Sequence, residues 1–220
     1  MSPRQGNDVS FYQGDIDWVE YAEENQFAFV SIGDGSVKDP LATPARIKAI
    51  RAAKLKYGFG LYYYGRVAAE SNHFRNAAAE CHMVLERALA TGWGQRGVDL
   101  RLAYDFEEAN GRPANIAAAH LVDFIRAHRE RMGHKPIVYG PYSFLASLNR
   151  SFTPGQRALV KGCPLWIADL EGKVDVPPPW IGGKDFAIHQ DTFTDHSKGI
   201  RGIADHDLAG PEFDRLRLPK

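Results

Sequence analysis

Two carboxylates one residue apart, Asp105 and Glu107, finish the run Leu100 to Glu108, which reads Leu-Arg-Leu-Ala-Tyr-Asp-Phe-Glu-Glu. The run is apolar and aromatic, of strand type. Side chains on a strand alternate with period two, so both acids point to one face. Their Cα atoms then stand roughly 6–7 Å apart, at a rise of about 3.3 Å per residue. Like charges this close resist joint ionisation, so one pKa rises. That is the basis of an acid/base device. Asp-x-Glu triplets also arise by chance, so the pair gains meaning only from its surroundings. Leu102, Tyr104 and Phe106 take the opposite face, available for packing against helices.

Those surroundings follow from the order of elements. Asp8-Val9-Ser10 reads as a short strand and Phe11 to Gly14 as a loop. Asp15 to Gln26 has helical spacing, with Asp15 or Asp17 as cap. Phe27 to Ile32 is a strand and Gly33-Asp34-Gly35 a loop. Thr43-Pro44 is an N-cap followed by N1, opening a helix to about Tyr57 that Gly58 ends. Phe59 to Gly65 is a third strand. Ala68 to Ala90 is an alanine-rich helix stopped near Gly92. The acid-bearing run is the fourth strand. Pro113 opens a long helix with Ile116, Leu121, Phe124 and Ile125 inward and Gly133 as its stop. Pro136 to Tyr139 is a fifth strand, Tyr142 to Leu148 a short helix, and Thr153-Pro154 another helix start. Leu165 to Ala168, Asp185 to Gln190 and a short stretch near Ile203-Ala204-Asp205 complete eight strands.

Strand and helix thus alternate about five times, and strands with little helix follow. Such alternation argues for a parallel sheet, and about eight strands for a closed barrel. The fold class is α/β: an irregular TIM-like barrel, five β/α units followed by three strands. An open doubly wound sheet is the weaker alternative, because no glycine-rich phosphate fingerprint follows the first strand. Pro177-Pro178-Pro179 is a stiff loop within the domain. Residues 1–220 read as a single barrel domain.

Chemistry in such barrels sits at the C-terminal ends of strands. Asp8, Asp34, Asp105, Glu107, Asp169 and Asp205 all fall on or just after strands there. Tyr12, Tyr62, Tyr64, Tyr139 and Trp166 join them. Tyr62 and Tyr64 share a face, and Tyr63 takes the other. Carboxylates beside flat rings suit a carbohydrate: rings stack on sugar faces, and an acid protonates the glycosidic oxygen. Each aromatic also fits ordinary core packing. Asp34, between glycines, reads as a turn residue. His189 reads as a core histidine, and His206 and Asp207 as loop residues.

Bulk composition narrows the classes further. The 27 Lys and Arg balance the 27 Asp and Glu, so net charge gives no reason to expect a nucleic-acid partner. Cys81 and Cys163 have no metal-type spacing and read as two reduced thiols. The polar start carries no export-signal pattern, and no stretch approaches the roughly 20 apolar residues a membrane span needs. The expectations are a monomer without membrane insertion, and no cofactor or metal.

Taken together, several stretches resemble one family, the glycoside hydrolase family 25 lysozymes, which are N-acetylmuramidases. They are Asp8-Val9-Ser10-Phe11-Tyr12-Gln13-Gly14 with Ile16-Asp17-Trp18, then Phe29-Val30-Ser31-Ile32 with Gly35 and Lys38-Asp39-Pro40. Gly60-Leu61-Tyr62-Tyr63-Tyr64 with Arg66, and Asp105-Phe106-Glu107, follow. Later come Pro136 to Gly140, Leu165 to Ala168, and Gly199-Ile200-Arg201-Gly202 leading to Asp205. They keep the family's order over nearly the whole chain. The resemblance implies peptidoglycan as substrate. Residues 1–220 would then be one catalytic barrel with no separate cell-wall-binding module. Glu107 would be the general acid and Asp105 its neighbour, orienting the N-acetyl group or stabilising positive charge. Asp8 and Asp205 would complete an acidic cup. Tyr12, Tyr62, Tyr64, Tyr139, Trp166 and Gln190 would form the sugar sites. The resemblance also implies a phage lysis enzyme or a secreted one. His189-Gln190-Asp191 replaces the family's frequent Trp-Gln-Tyr. Asp207 stands where Asn is usual, Asp169 where an aromatic is common and Val67 where Pro is common. These changes bear on subsite shape, and the extra acids could raise the pKa of the whole cluster.

Two other classes compete. Asp8, Asp105, Glu107, His189 and Asp205 could in principle hold a divalent ion, but no tight His-x-His or His-Glu-x-x-His spacing is present. A non-catalytic glycan-binding barrel would keep the aromatics, but it would not need four carboxylates.

Overall fold

The computed structural model describes residues 4–67, 77–170, 174–180 and 186–219. The barrel strands are β1 Gln5–Val9, β2 Phe27–Asp34, β4 Gly58–Tyr64, β5 Ala103–Asp105, β6 Ile137–Pro141, β7 Leu165–Ala168, β8 Ile188–Asp195 and β9 Ala204–Ala209. A two-residue strand, β3 Val37–Lys38, hangs on β2 as an antiparallel hairpin. Neighbours run in the order β1-β9-β8-β7-β6-β5-β4-β2, and a β1–β2 pairing closes the ring. The helices are α1 Trp18–Glu24, α2 Pro44–Ala53, α3 Ala77–Ala90, α4 Ala114–Met132, α5 Tyr142–Leu148 and α6 Pro154–Lys161. The fold is the expected mixed α/β barrel, with helices after the early strands and few after the late ones.

Local signals account for the helix starts. Asp17 caps α1, accepting from the N–H groups of Val19 and Glu20 at 3.0 and 3.1 Å. Thr43 caps α2 with Pro44 in its first turn. Thr153 and Gln156 close a reciprocal capping box on α6. Gly133 ends α4 in the left-handed region at φ 76°. Helix α2 is shorter than its spacing implies, because Lys54 turns left-handed at φ 56° and stops it before Tyr57. Ile116 belongs to the solvent side of α4, 48% exposed, while Leu121, Phe124 and Ile125 pack inward. The expected helix from Ala68 is described only from Ala77, and residues 68–76 lie outside the described part.

Strand direction departs from the expected all-parallel sheet. β9 runs antiparallel to both β1 and β8. β8 begins at Ile188 and continues to Asp195, beyond the expected end at Gln190, to form a hairpin with β9. Gly33 and Asp34 likewise belong to β2 rather than to a loop, since they pair with Lys38 and Val37.

Two apolar layers hold the barrel. Tyr104 stacks on Phe124 of α4 at 3.7 Å between ring centroids, and Phe106 tilts against Phe144 at 5.4 Å. The inner layer is a plug of Phe27, Phe29 and Trp166, with Phe29 and Trp166 at 4.7 Å. A plug this bulky needs small residues opposite. A Cβ added at Gly60 would lie 2.3 Å from the Phe29 ring. The plug fills the lower barrel, so the open space is at the rim where the parallel strands end.

Between barrel and helices sits one buried polar knot. Glu80 of α3 is fully buried. It accepts from the Tyr63 hydroxyl at 3.0 Å and the Tyr104 hydroxyl at 3.3 Å, and meets His120 Nε2 at 2.6 Å. The knot ties β4, β5, α3 and α4 together, which fixes the base on which Asp105 stands.

Candidate active site

A cleft of about 590 Å³ opens at that rim, within the usual range for a ligand site. Asp8, Asp105, Glu107 and Asp205 all line it. Asp105 ends β5, and Glu107 follows two residues on, facing the same cleft. The two carboxyl groups lie close enough to perturb each other's ionisation. Asp8, on β1, is the direct cross-strand neighbour of Asp205 on β9. The sequence places Asp205 at the end of its strand; in the structure it lies near the start. Because β9 runs against the other strands, its start reaches the rim where their ends lie.

Gln190 of β8 joins the halves of the cup. Its Nε2 donates to Asp8 Oδ2 at 2.7 Å and reaches Asp205 Oδ2 at 3.5 Å. Its Oε1 accepts from the Tyr139 hydroxyl at 2.6 Å. Tyr139 also lies beside Glu107. One amide therefore bridges two of the four acids, and the Tyr139 phenol holds that amide in place.

The electrostatics follow from burial and from like charge. Burial pushes Asp8 well above the ordinary carboxylate range, and Asp205 and Glu107 add to the push. Asp105 is raised well above its usual value by burial, then by Glu107 and Asp8. Glu107 is raised by burial first and also by Glu108, while Asp105, Tyr139 and the Arg66 charge pull back in part. Burial and then Glu107 raise Asp205 to about 6. Four raised carboxyls gathered in one cleft resist joint ionisation, which favours the protonated state a general acid needs.

The aromatic residues divide by depth. Tyr12 stands at the mouth, 80% exposed. Tyr62 and Tyr64 line the wall, while Tyr63 faces the helices, as alternation implies. Tyr139 and Trp166 also line the cleft but are almost wholly buried. They form its floor rather than open platforms.

Asp207 and His206 are not loop residues. Asp207 lies on β9, fully buried, and accepts from Trp166 Nε1 at 3.0 Å. Burial, then Asp8 and Asp205, hold its pKa well above the usual range. Alternation two residues beyond Asp205 is the signal that finds it, once the strand is read past 205. His206 is also on β9, with Nδ1 2.7 Å from Asp191. His189 points away from the cup, its Nε2 2.7 Å from the Asp169 carbonyl, so it does not join the acids. Asp34 closes a bidentate pair with Arg66 at 2.6 and 2.7 Å. Among the described residues, no group of three or more His, Cys, Asp or Glu side chains is arranged as a metal-ligand set.

The family model described as glycosyl hydrolases family 25 matches residues 7–200. Solved structures with the same fold include the bacterial lysozyme from Streptomyces coelicolor, at TM-score 0.76 and 21% identity, covering 95% of this chain and 93% of that one. A family GH25 lysozyme from Aspergillus fumigatus matches at TM-score 0.76 and 18% identity, over 100% of both chains. The catalytic domain of endolysin ply40 from bacteriophage P40 of Listeria monocytogenes matches at 0.72 and 18%, over 97% and 96%. No curated protein matches by sequence.

Proposed function

The chain belongs to glycosyl hydrolases family 25 and is a glycoside hydrolase, and from that premise we propose that it cleaves peptidoglycan between N-acetylmuramic acid and N-acetylglucosamine. Glu107 is the general acid that protonates the leaving oxygen. Asp105, beside it, holds a partner charge or proton and faces the N-acetyl group. Asp8 and Asp205 keep the cup electronegative, which favours positive charge on the sugar as the bond breaks. Tyr62, Tyr64 and Tyr12 bracket the sugars from wall and mouth, above the Tyr139–Trp166 floor.

The observation that carries this reading is the desolvated Asp105–Glu107 pair lining one open cleft with Asp8 and Asp205. A glycan-binding barrel without catalysis has no use for an arrangement that holds a proton at such cost. Mass spectrometry of digested, purified peptidoglycan tests it. New reducing ends at muramic acid are expected. Reducing ends at glucosamine, or freed stem peptides alone, would refute the bond assignment.

A further inference from the structure

The mouth of the cleft has a feature that the glycan chemistry leaves unused. Val37 is 68% exposed, Phe193 44% and Ile203 50%, and all three line the opening. Exposed apolar side chains gathered at a cleft mark a binding surface. Aliphatic groups such as Val37 and Ile203 are poor platforms for a sugar ring and good neighbours for methyl groups.

Charge sharpens this. Six carboxylates line the cleft, Asp8, Asp34, Asp39, Asp105, Glu107 and Asp205, and among the described lining residues Lys38 is the one Lys or Arg. The acids nearest to it in sequence are committed elsewhere. Asp34 is held bidentately by Arg66. Asp39 accepts from the Phe11 N–H at 3.0 Å and the Leu41 N–H at 2.8 Å. Lys38 forms no ion pair among the described residues. Its strand β3 is the outer edge of the sheet, with β2 as its partner. An acidic cleft thus carries one uncommitted cation on an exposed edge, beside an exposed valine.

Resting on the muramidase reading above, we propose that the Val37–Lys38 edge binds the peptide stem borne by the muramic sugar, Val37 against its methyl groups and Lys38 on one of its free carboxylates. The acids in the cup then read the glycan, and the hairpin reads what is attached to it. The contact favours strands whose stems are anionic over strands whose stem carboxylates have been capped.

Soluble, uncross-linked peptidoglycan strands provide the test, used as prepared and after carbodiimide amidation of their carboxylates with methylamine. The readout is the ratio of kcat/KM on free-acid strands to that on amidated strands. An exposed ion pair predicts a ratio of about three in the wild type. Lys38→Gln brings the ratio close to one, and Val37→Asp brings it to one or below by repelling the stem. Raising salt to about 0.5 M erases the wild-type preference through screening. A wild-type ratio near one, or a ratio unchanged in Lys38→Gln, overturns the inference while leaving the muramidase reading intact. Release of no muramic reducing ends from either substrate overturns both.

Discussion

Replacing Asp205 with Asn separates stability from activity. In the folded protein Asp205 is raised from 3.8 to about 6, by burial first and by Glu107 second. An acid whose folded-state pKa is raised weakens the fold once pH exceeds its unfolded value, because the unfolded chain sheds the proton more readily. The penalty is absent below about pH 4, grows up to about pH 6, and is constant above. About 2 pH units at 1.36 kcal/mol each give an upper bound of about 3 kcal/mol. Asp205 is only partly buried, so solvent screening reduces this to about 1–2 kcal/mol. The Asp205→Asn side chain keeps an acceptor for Gln190 and removes the charge facing Asp8. For a chain of 220 residues the gain corresponds to a Tm increase of about 2–8 °C at pH 7. Thermal melts of both proteins from about pH 3 to about pH 8 measure it, a range that spans both ends of the linkage. The difference between the two curves opens between about pH 4 and pH 6 and stays open above. A Tm difference independent of pH, or one that opens as pH falls, would refute the electrostatic argument.

Other consequences follow from the same geometry. Glu107 is raised above 4.5, and as the proposed general acid it works only while protonated, so kcat/KM is expected to fall as pH rises through its folded-state value. Glu108→Gln removes a neighbouring negative charge that raises Glu107 and moves that alkaline limb to lower pH, and a pH–rate profile of the two enzymes reads the shift. Glu80→Ala strands the Tyr63 and Tyr104 hydroxyls and His120 in a buried gap, and costs about 3 kcal/mol in a urea melt. Gly60→Ala drives a methyl group into the Phe29 ring and lowers stability by about 1–3 kcal/mol in the same assay, without touching the acids.

What is legible in the sequence is mostly what local chemistry decides. Asp17, Thr43-Pro44 and Thr153-Pro154 announce helix starts because a cap side chain satisfies the first N–H groups wherever the helix packs. The period of two around Tyr62, Tyr63 and Tyr64, and around Asp105 and Glu107, assigns faces correctly. Strand polarity is different. Nothing in Ala204 to Ala209 says that the segment runs against its neighbours, since an antiparallel strand has the same alternation as a parallel one. The sequence therefore puts Asp205 at the rim while reversing its position within its own strand. Asp207 reads as a loop residue because the strand reads as ending at Asp205, four residues before its end at Ala209. The β3 edge, only two residues long, leaves no periodic trace. Gln190 draws attention only through resemblance, because its bridge between Asp8, Asp205 and Tyr139 forms from strands distant in sequence.

The central claim is that Glu107 delivers the proton to the leaving oxygen, and Glu107→Gln tests it most directly. Gln keeps the size and most of the hydrogen bonding of Glu107 but has no proton to give. Release of reducing ends from purified peptidoglycan, measured at the wild-type pH optimum with the variant's melting curve recorded alongside, is predicted to fall by about 10²–10⁴-fold while the fold persists. Turnover within about tenfold of wild type by a folded Glu107→Gln enzyme would contradict the account, since loss of a general acid costs at least about a hundredfold.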